Sequence, residues 1–174
     1  MFNPSKVKLV MFDLFGTVID MEGARYEDLK AYEDHIKNPW APLILPEEWL
    51  ELRPYSNGFD FLDWNIKSKI PIVTLSNAPT SFQIKYLTKW YLPFNSITPL
   101  ELFQRFKPDL YVYQMAAKLY GVPHENCLMV SGNEHFGDIE AAQKLGMQAC
   151  LVNRHGNGMS VEYFNELTHD WIQY

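Results

Sequence analysis

The feature that most restricts the fold is an apolar run ending on a carboxylate: Lys8-Leu9-Val10-Met11-Phe12-Asp13-Leu14-Phe15-Gly16-Thr17. So short and continuous a run reads as a strand buried on both faces, as strands are inside a parallel sheet. It delivers Asp13 at the strand's carboxyl end, beside a flexible Gly16 and the Thr17 hydroxyl. Open parallel sheets bind ligands at that end, and a carboxylate presented there can serve as a nucleophile.

The remaining chain keeps the same rhythm. Strand-like runs are expected at 7–14, 70–75, 127–130 and 147–152, with a shorter one at 95–98. Between them lie helical periods. Residues 81–91 place Ile84, Leu87 and Tyr91 on one face, 110–120 place Tyr113, Ala116, Ala117 and Tyr120 together, and 138–145 repeat Ile139, Ala142 and Leu145. Pro79 and Pro108 suit first helical turns, and Gly121 and Gly146 suit helix stops. Strands alternating with helices predict an α/β fold: a Rossmann-like parallel sheet with helices on both faces.

Residues 21–53 interrupt this order. They carry helical patterns at 25–37 and 46–52, joined by Asn38-Pro39-Trp40-Ala41-Pro42, whose prolines make a stiff, extended connection. Trp40 and Trp49 either lid the site or pack the insertion onto the core. The expected division is a core of 1–20 and 54–174 with a small helical insertion at 21–53.

At 174 residues and 47% hydrophobic, the chain suits one domain with a filled core. A net charge of −6 argues against a nucleic-acid partner, since phosphate backbones want a basic face. No apolar stretch approaches the roughly 20 residues that span a bilayer, so no membrane partner is expected. The first strand starts too early to leave room for a signal peptide. Cys127 and Cys150 sit inside apolar runs and read as reduced core thiols, which fits a cytoplasmic setting.

Three further motifs can carry chemistry. Val73-Thr74-Leu75-Ser76-Asn77-Ala78-Pro79 ends a strand on a hydroxyl and an amide before a helix, forming either an anion pocket or an ordinary helix cap. Phe106-Lys107-Pro108-Asp109 puts a cation ahead of the helix of Tyr113; Lys107 either neutralises site charge or is a surface residue, and Tyr113 either reaches the pocket or packs. Ser131-Gly132-Asn133-Glu134-His135-Phe136-Gly137-Asp138 follows a fourth strand, with His135 either facing the site or solvated.

In this order, the four motifs resemble those of the haloacid dehalogenase superfamily, whose hydrolases attack through the first-motif Asp. The resemblance covers nearly the whole chain, and 21–53 falls where that superfamily inserts its cap, here truncated to about thirty residues. Two positions depart from the family's phosphatases, which carry a second Asp two residues after the nucleophile and an Asp after the fourth-motif glycine. Here these are Phe15 and Asn133. Phenylalanine cannot protonate an alkoxide leaving group. Like charges at about 4 Å cost roughly 4 kcal/mol per pair at moderate dielectric, and a neutral Asn133 weakens the Mg²⁺ site that offsets them. A halide needs neither proton nor metal to depart.

The L-2-haloacid dehalogenases are similar at both positions, with an aromatic residue two after the nucleophile and a Ser-x-Asn fourth motif. Ser76-Asn77, Lys107, Tyr113 and the later Asn153-Arg154-His155-Gly156-Asn157 are also similar. The resemblance implies a metal-independent hydrolase of a small-molecule 2-haloacid without cofactor. Its catalytic residues would be Asp13, Thr17, Ser76, Asn77, Lys107, Ser131, Asn133 and Asp138, with Phe15 and Tyr113 at the substrate. Two mismatches accompany it. The subgroup's fourth-motif acid stands where this chain has Phe136, two residues before Asp138. Its cap-borne Arg has no clear counterpart in Arg25 or Arg53. The small cap either leaves the pocket open or leaves its cover to homo-oligomerisation. Alternatives from the same residues are an Mg²⁺-dependent phosphatase using Asp13, the Phe15 carbonyl and Asp138, or a silent binding protein.

Overall fold

A computed structural model describes residues 3–38, 43–55, 69–133 and 135–152. Among the described residues five strands form one parallel sheet: β1 (Leu9–Phe12), β2 (Ile72–Thr74), β3 (Ser96–Ile97), β4 (Cys127–Ser131) and β5 (Gln148–Leu151), in the order β3-β2-β1-β4-β5. The chain therefore leaves β1 in one direction along the sheet and returns to its other side with β4. That reversal opens a crevice at the carboxyl ends of β1 and β4. Their register pairs Leu9 with Cys127 and Phe12 with Val130, so both strands end level.

Alternation along β1 divides the core in two. Val10 and Phe12 join Ile72, Leu128 and Val130 on one face. Leu9 and Met11 join Val73, Cys127 and Met129 on the other. The first face is covered by α1 (Tyr26–Ile36) and α2 (Thr80–Lys89), the second by α3 (Leu110–Tyr120) and α4 (Asp138–Lys144). The α/β expectation is thus met, with strands shorter than the apolar runs that announce them. Gly121 ends α3 at φ +67°, a left-handed turn that favours glycine.

Three local expectations need correction. Residues 46–52 form a 3-10 turn, Glu47–Glu51, rather than an α-helix. The core face of α2 is Phe82, Gln83, Tyr86 and Leu87, while Ile84 is 53% and Tyr91 88% exposed. In α4 it is Asp138, Ala141 and Ala142 that are buried, with Ile139 and Leu145 only partly so. Trp49 is 2% exposed and packs on Phe15, so it belongs to the core. Trp40 and the 153–157 run lie outside the described residues. Cys127 and Cys150 are buried, and burial pushes both thiols up to about 12. Among the described residues no helix is long and apolar enough to cross a membrane.

Candidate active site

Asp13 follows β1 directly, its N–H donating to the Val130 carbonyl at 3.0 Å. The chain then turns sharply: the N–H groups of Thr17, Val18 and Ile19 all point to the Leu14 carbonyl, and Gly16 takes φ +70°. This turn brings the Thr17 hydroxyl back to Asp13 Oδ2 at 3.0 Å. Thr17 in turn accepts the Gly132 N–H at 2.7 Å, tying the ends of β1 and β4 together.

Lys107, in the loop after β3, is 4% exposed. Its Nζ lies 2.8 Å from Asp13 Oδ1 and 2.6 Å from Asp138 Oδ2. Tyr113 donates its hydroxyl to Asp138 Oδ1 at 2.8 Å. Two carboxylates thus share one buried ammonium. Burial, followed by Lys107 pulling down and Asp138 pushing up, leaves the Asp13 carboxyl above its ordinary value. For Lys107 burial works downward, but the two carboxylates outweigh it and hold the ammonium above its ordinary value. Burial and the Asp138 charge push the Tyr113 phenol far up, so it stays a donor.

Asn77 clamps the backbone of Lys107, accepting its N–H at 2.8 Å and donating to its carbonyl at 3.1 Å. The Ser76 hydroxyl accepts the Ala78 N–H and the Ser131 hydroxyl accepts the Asn133 N–H, each at 3.2 Å. Both serines shape strand-end turns, and neither lines the cavity described next.

That cavity, about 30 Å³, is lined by Asp13, Phe15, Asn77, Lys107, Asn133 and Asp138, closed by Tyr32, Ile36 and Phe136. It has room for a water or two. Phe15 is held edge-on by Tyr32 and Trp49, each ring centroid 5.2 Å away. His135 is exposed, outside the cavity. Arg25 is exposed and paired to Asp28 at 2.8 Å, and Arg53 is exposed, so neither reaches the cavity. Of the three closing residues, motif reading misses Tyr32 and Ile36 and meets Phe136 only as a mismatch within the fourth motif. A signal exists for Tyr32: Leu29, Tyr32 and Ile36 form the apolar stripe of α1, and only Tyr32 carries a polar tip.

Residues 105–163 match the HAD-hydrolase-like family. An (S)-2-haloacid dehalogenase of Pseudomonas fluorescens is 33% identical over 127 residues, 72% of this chain and 55% of that protein. The chain spans about half the length of the curated relatives it matches. A solved L-2-haloacid dehalogenase superposes with TM-score 0.74 at 19% identity, over 94% of this chain and 99% of the other. The Xanthobacter autotrophicus L-2-haloacid dehalogenase with chloropropionic acid covalently bound gives TM-score 0.68 at 18% identity, over 97% and 85%. On sequence and fold together, the chain belongs to the haloacid dehalogenase superfamily and is similar there to the 2-haloacid dehalogenases.

Proposed function

We propose that this chain is a hydrolase that releases halide from short 2-haloacids through an ester on Asp13. The observation that carries the reading is the Asp13–Lys107–Asp138 arrangement beside an aromatic wall at Phe15. An Asp13 oxygen attacks the halogen-bearing carbon; the carbon–oxygen bond forms as the carbon–halogen bond breaks, and the halide leaves with the bonding pair. Water then adds to the ester carbonyl and gives its proton to Asp138, and collapse returns the Asp13 carboxylate with a 2-hydroxyacid. Thr17 and the Gly132 N–H orient the nucleophile, Lys107 offsets the negative charge, and Asn77 holds Lys107 in place. Phe15 supplies no proton, and a halide requires none.

The residues present do not suit Mg²⁺, which wants a near-octahedral shell of oxygens. An ammonium lies between the two carboxylates, the Phe15 side chain brings no oxygen, and Asn133 is neutral. The reading therefore has no cofactor. Residues 21–53 act in it as a reduced cap over the core, in a cytoplasmic enzyme whose site a second copy can further cover.

Halide release from 2-chloropropionate in the presence of EDTA, lost in Asp13→Asn, is the expected result. Phosphate release from p-nitrophenyl phosphate that requires Mg²⁺, or no release of either product, would overturn the reading.

A further inference from the structure

Gln83 is wholly buried on the core face of α2, where an apolar side chain of similar size would pack without the cost of drying an amide. That amide is used at both ends. The Thr74 hydroxyl donates to Oε1 at 2.6 Å, and Nε2 donates to the Ala78 carbonyl at 2.7 Å. Thr74 is the last residue of β2, and its hydroxyl also accepts the Thr98 N–H at 3.3 Å. One side chain therefore spans the loop 75–77, and that loop carries Asn77.

Asn77 is the next link. Among the described residues, the backbone N–H and carbonyl of Lys107 bond to Asn77 and to nothing else. Lys107 lies between the 3-10 turn Leu100–Phe103 and the start of α3 at Leu110, so no helix or strand fixes it. Its place is left to that clamp and to the two carboxylates its ammonium meets. We propose that Gln83 is a positioning residue: its amide, joining Thr74 to Ala78, holds Asn77 against the Lys107 backbone and so keeps the ammonium between Asp13 and Asp138. Its effect on turnover rests on the hydrolase reading above.

The groups facing Asp13 give the test its sign. Burial raises that carboxyl, Lys107 pulls it down, Asp138 pushes it up, and the Thr17 hydroxyl pulls it down. The Tyr32 and Tyr113 phenols stay neutral. Of these groups, Lys107 is the one reached through Gln83 and Asn77. Loosening it raises the Asp13 carboxyl, and a nucleophile must be ionised to attack.

Gln83→Met keeps the volume and removes both bonds. Its kcat on 2-chloropropionate should fall about tenfold with KM within about twofold, and the acid limb of kcat should move up by about half a pH unit. The carbon-13 carboxyl resonance of Asp13, identified by its loss in Asp13→Asn, should titrate higher to the same extent. Gln83→Asn, an amide too short to reach both ends, should move both in the same direction, and it carries the test if Gln83→Met does not fold. Asn77→Ala should show the larger shift, and adding Gln83→Met to it should change little more, as for two links of one chain. A kcat that falls only with the folded fraction, while limb and titration stay put, would overturn the assignment; so would shifts that add in the double variant. The two readings fail separately. Halide release with an unmoved titration removes Gln83 and keeps the hydrolase; a raised Asp13 titration in variants of a protein that releases no halide keeps Gln83 and removes the hydrolase.

Discussion

Lys107 holds two buried carboxylates that would otherwise repel each other, and this arrangement works against the fold as much as for it. Asp13 ionises at the ordinary aspartate value in the unfolded chain and at a higher one in the fold. Its stabilising contribution is therefore full below the ordinary value and lost as pH climbs through the raised one. At neutral pH the ionised nucleophile is a burden. Asp13→Asn should raise the melting temperature at pH 7 by a few degrees, about 1 kcal/mol, and the gain should vanish in melts near pH 3. Lys107→Met should do the opposite, because it leaves Asp13 and Asp138 buried without a cation. Losing one partner of a buried pair costs about 3–5 kcal/mol, a fall on the order of 10 °C in a thermal melt. The sequence marks both residues by their places after strands. It offers a backbone-facing role for Ser76 as one of two alternatives and gives no such hint for Ser131, since a strand-end serine serves a turn and a ligand with equal ease.

At the scale of elements, α2 shows where periodicity misleads. Spacing alone favours Ile84, Leu87 and Tyr91 as the core face. The fold instead buries Gln83, whose Oε1 accepts the Thr74 hydroxyl at 2.6 Å and whose Nε2 donates to the Ala78 carbonyl at 2.7 Å. That link fixes the turn carrying Ser76 and Asn77, and it rotates Ile84 outward. A polar residue chosen by a distant strand is invisible to a count of apolar positions. The rotated face also binds the 47–51 turn: Tyr86 donates to the Leu52 carbonyl at 2.7 Å, Trp90 to the Leu50 carbonyl at 3.1 Å, and Lys89 pairs with Glu51. These side-chain donors serve a segment too short to sustain an α-helix of its own. Tyr86→Phe should cost about 1 kcal/mol and speed amide hydrogen exchange through residues 47–52 while α3 and α4 stay protected. Exchange unchanged there would mean that packing of Trp49 alone holds the turn.

The whole molecule sets the size of what it can process. The parallel order was legible because continuous apolar runs followed by helical periods admit few other folds, and level strand ends gather Asp13, Lys107 and Asp138 without further instruction. The volume left between them was not legible, because Tyr32 and Ile36 close it from a helix with no motif of its own, and nothing in the fourth motif marks Phe136 as a wall. A cavity of about 30 Å³ behind a fixed Phe15 must widen to take even chloroacetate, and each further methylene asks it to widen more. Each methylene that cannot be accommodated costs about 1–3 kcal/mol of transition-state binding. Chloroacetate and 2-chloropropionate should therefore be the better substrates, with kcat/KM falling at least tenfold on 2-chlorobutyrate and further on 2-chlorohexanoate. Phe136 is 40% exposed at the mouth, so its truncation opens space without emptying the core. Phe136→Ala should recover the longer acids by about tenfold and leave chloroacetate nearly unchanged. Equal rates along the whole series in the wild type would mean that these side chains yield readily and that the walls impose no length limit.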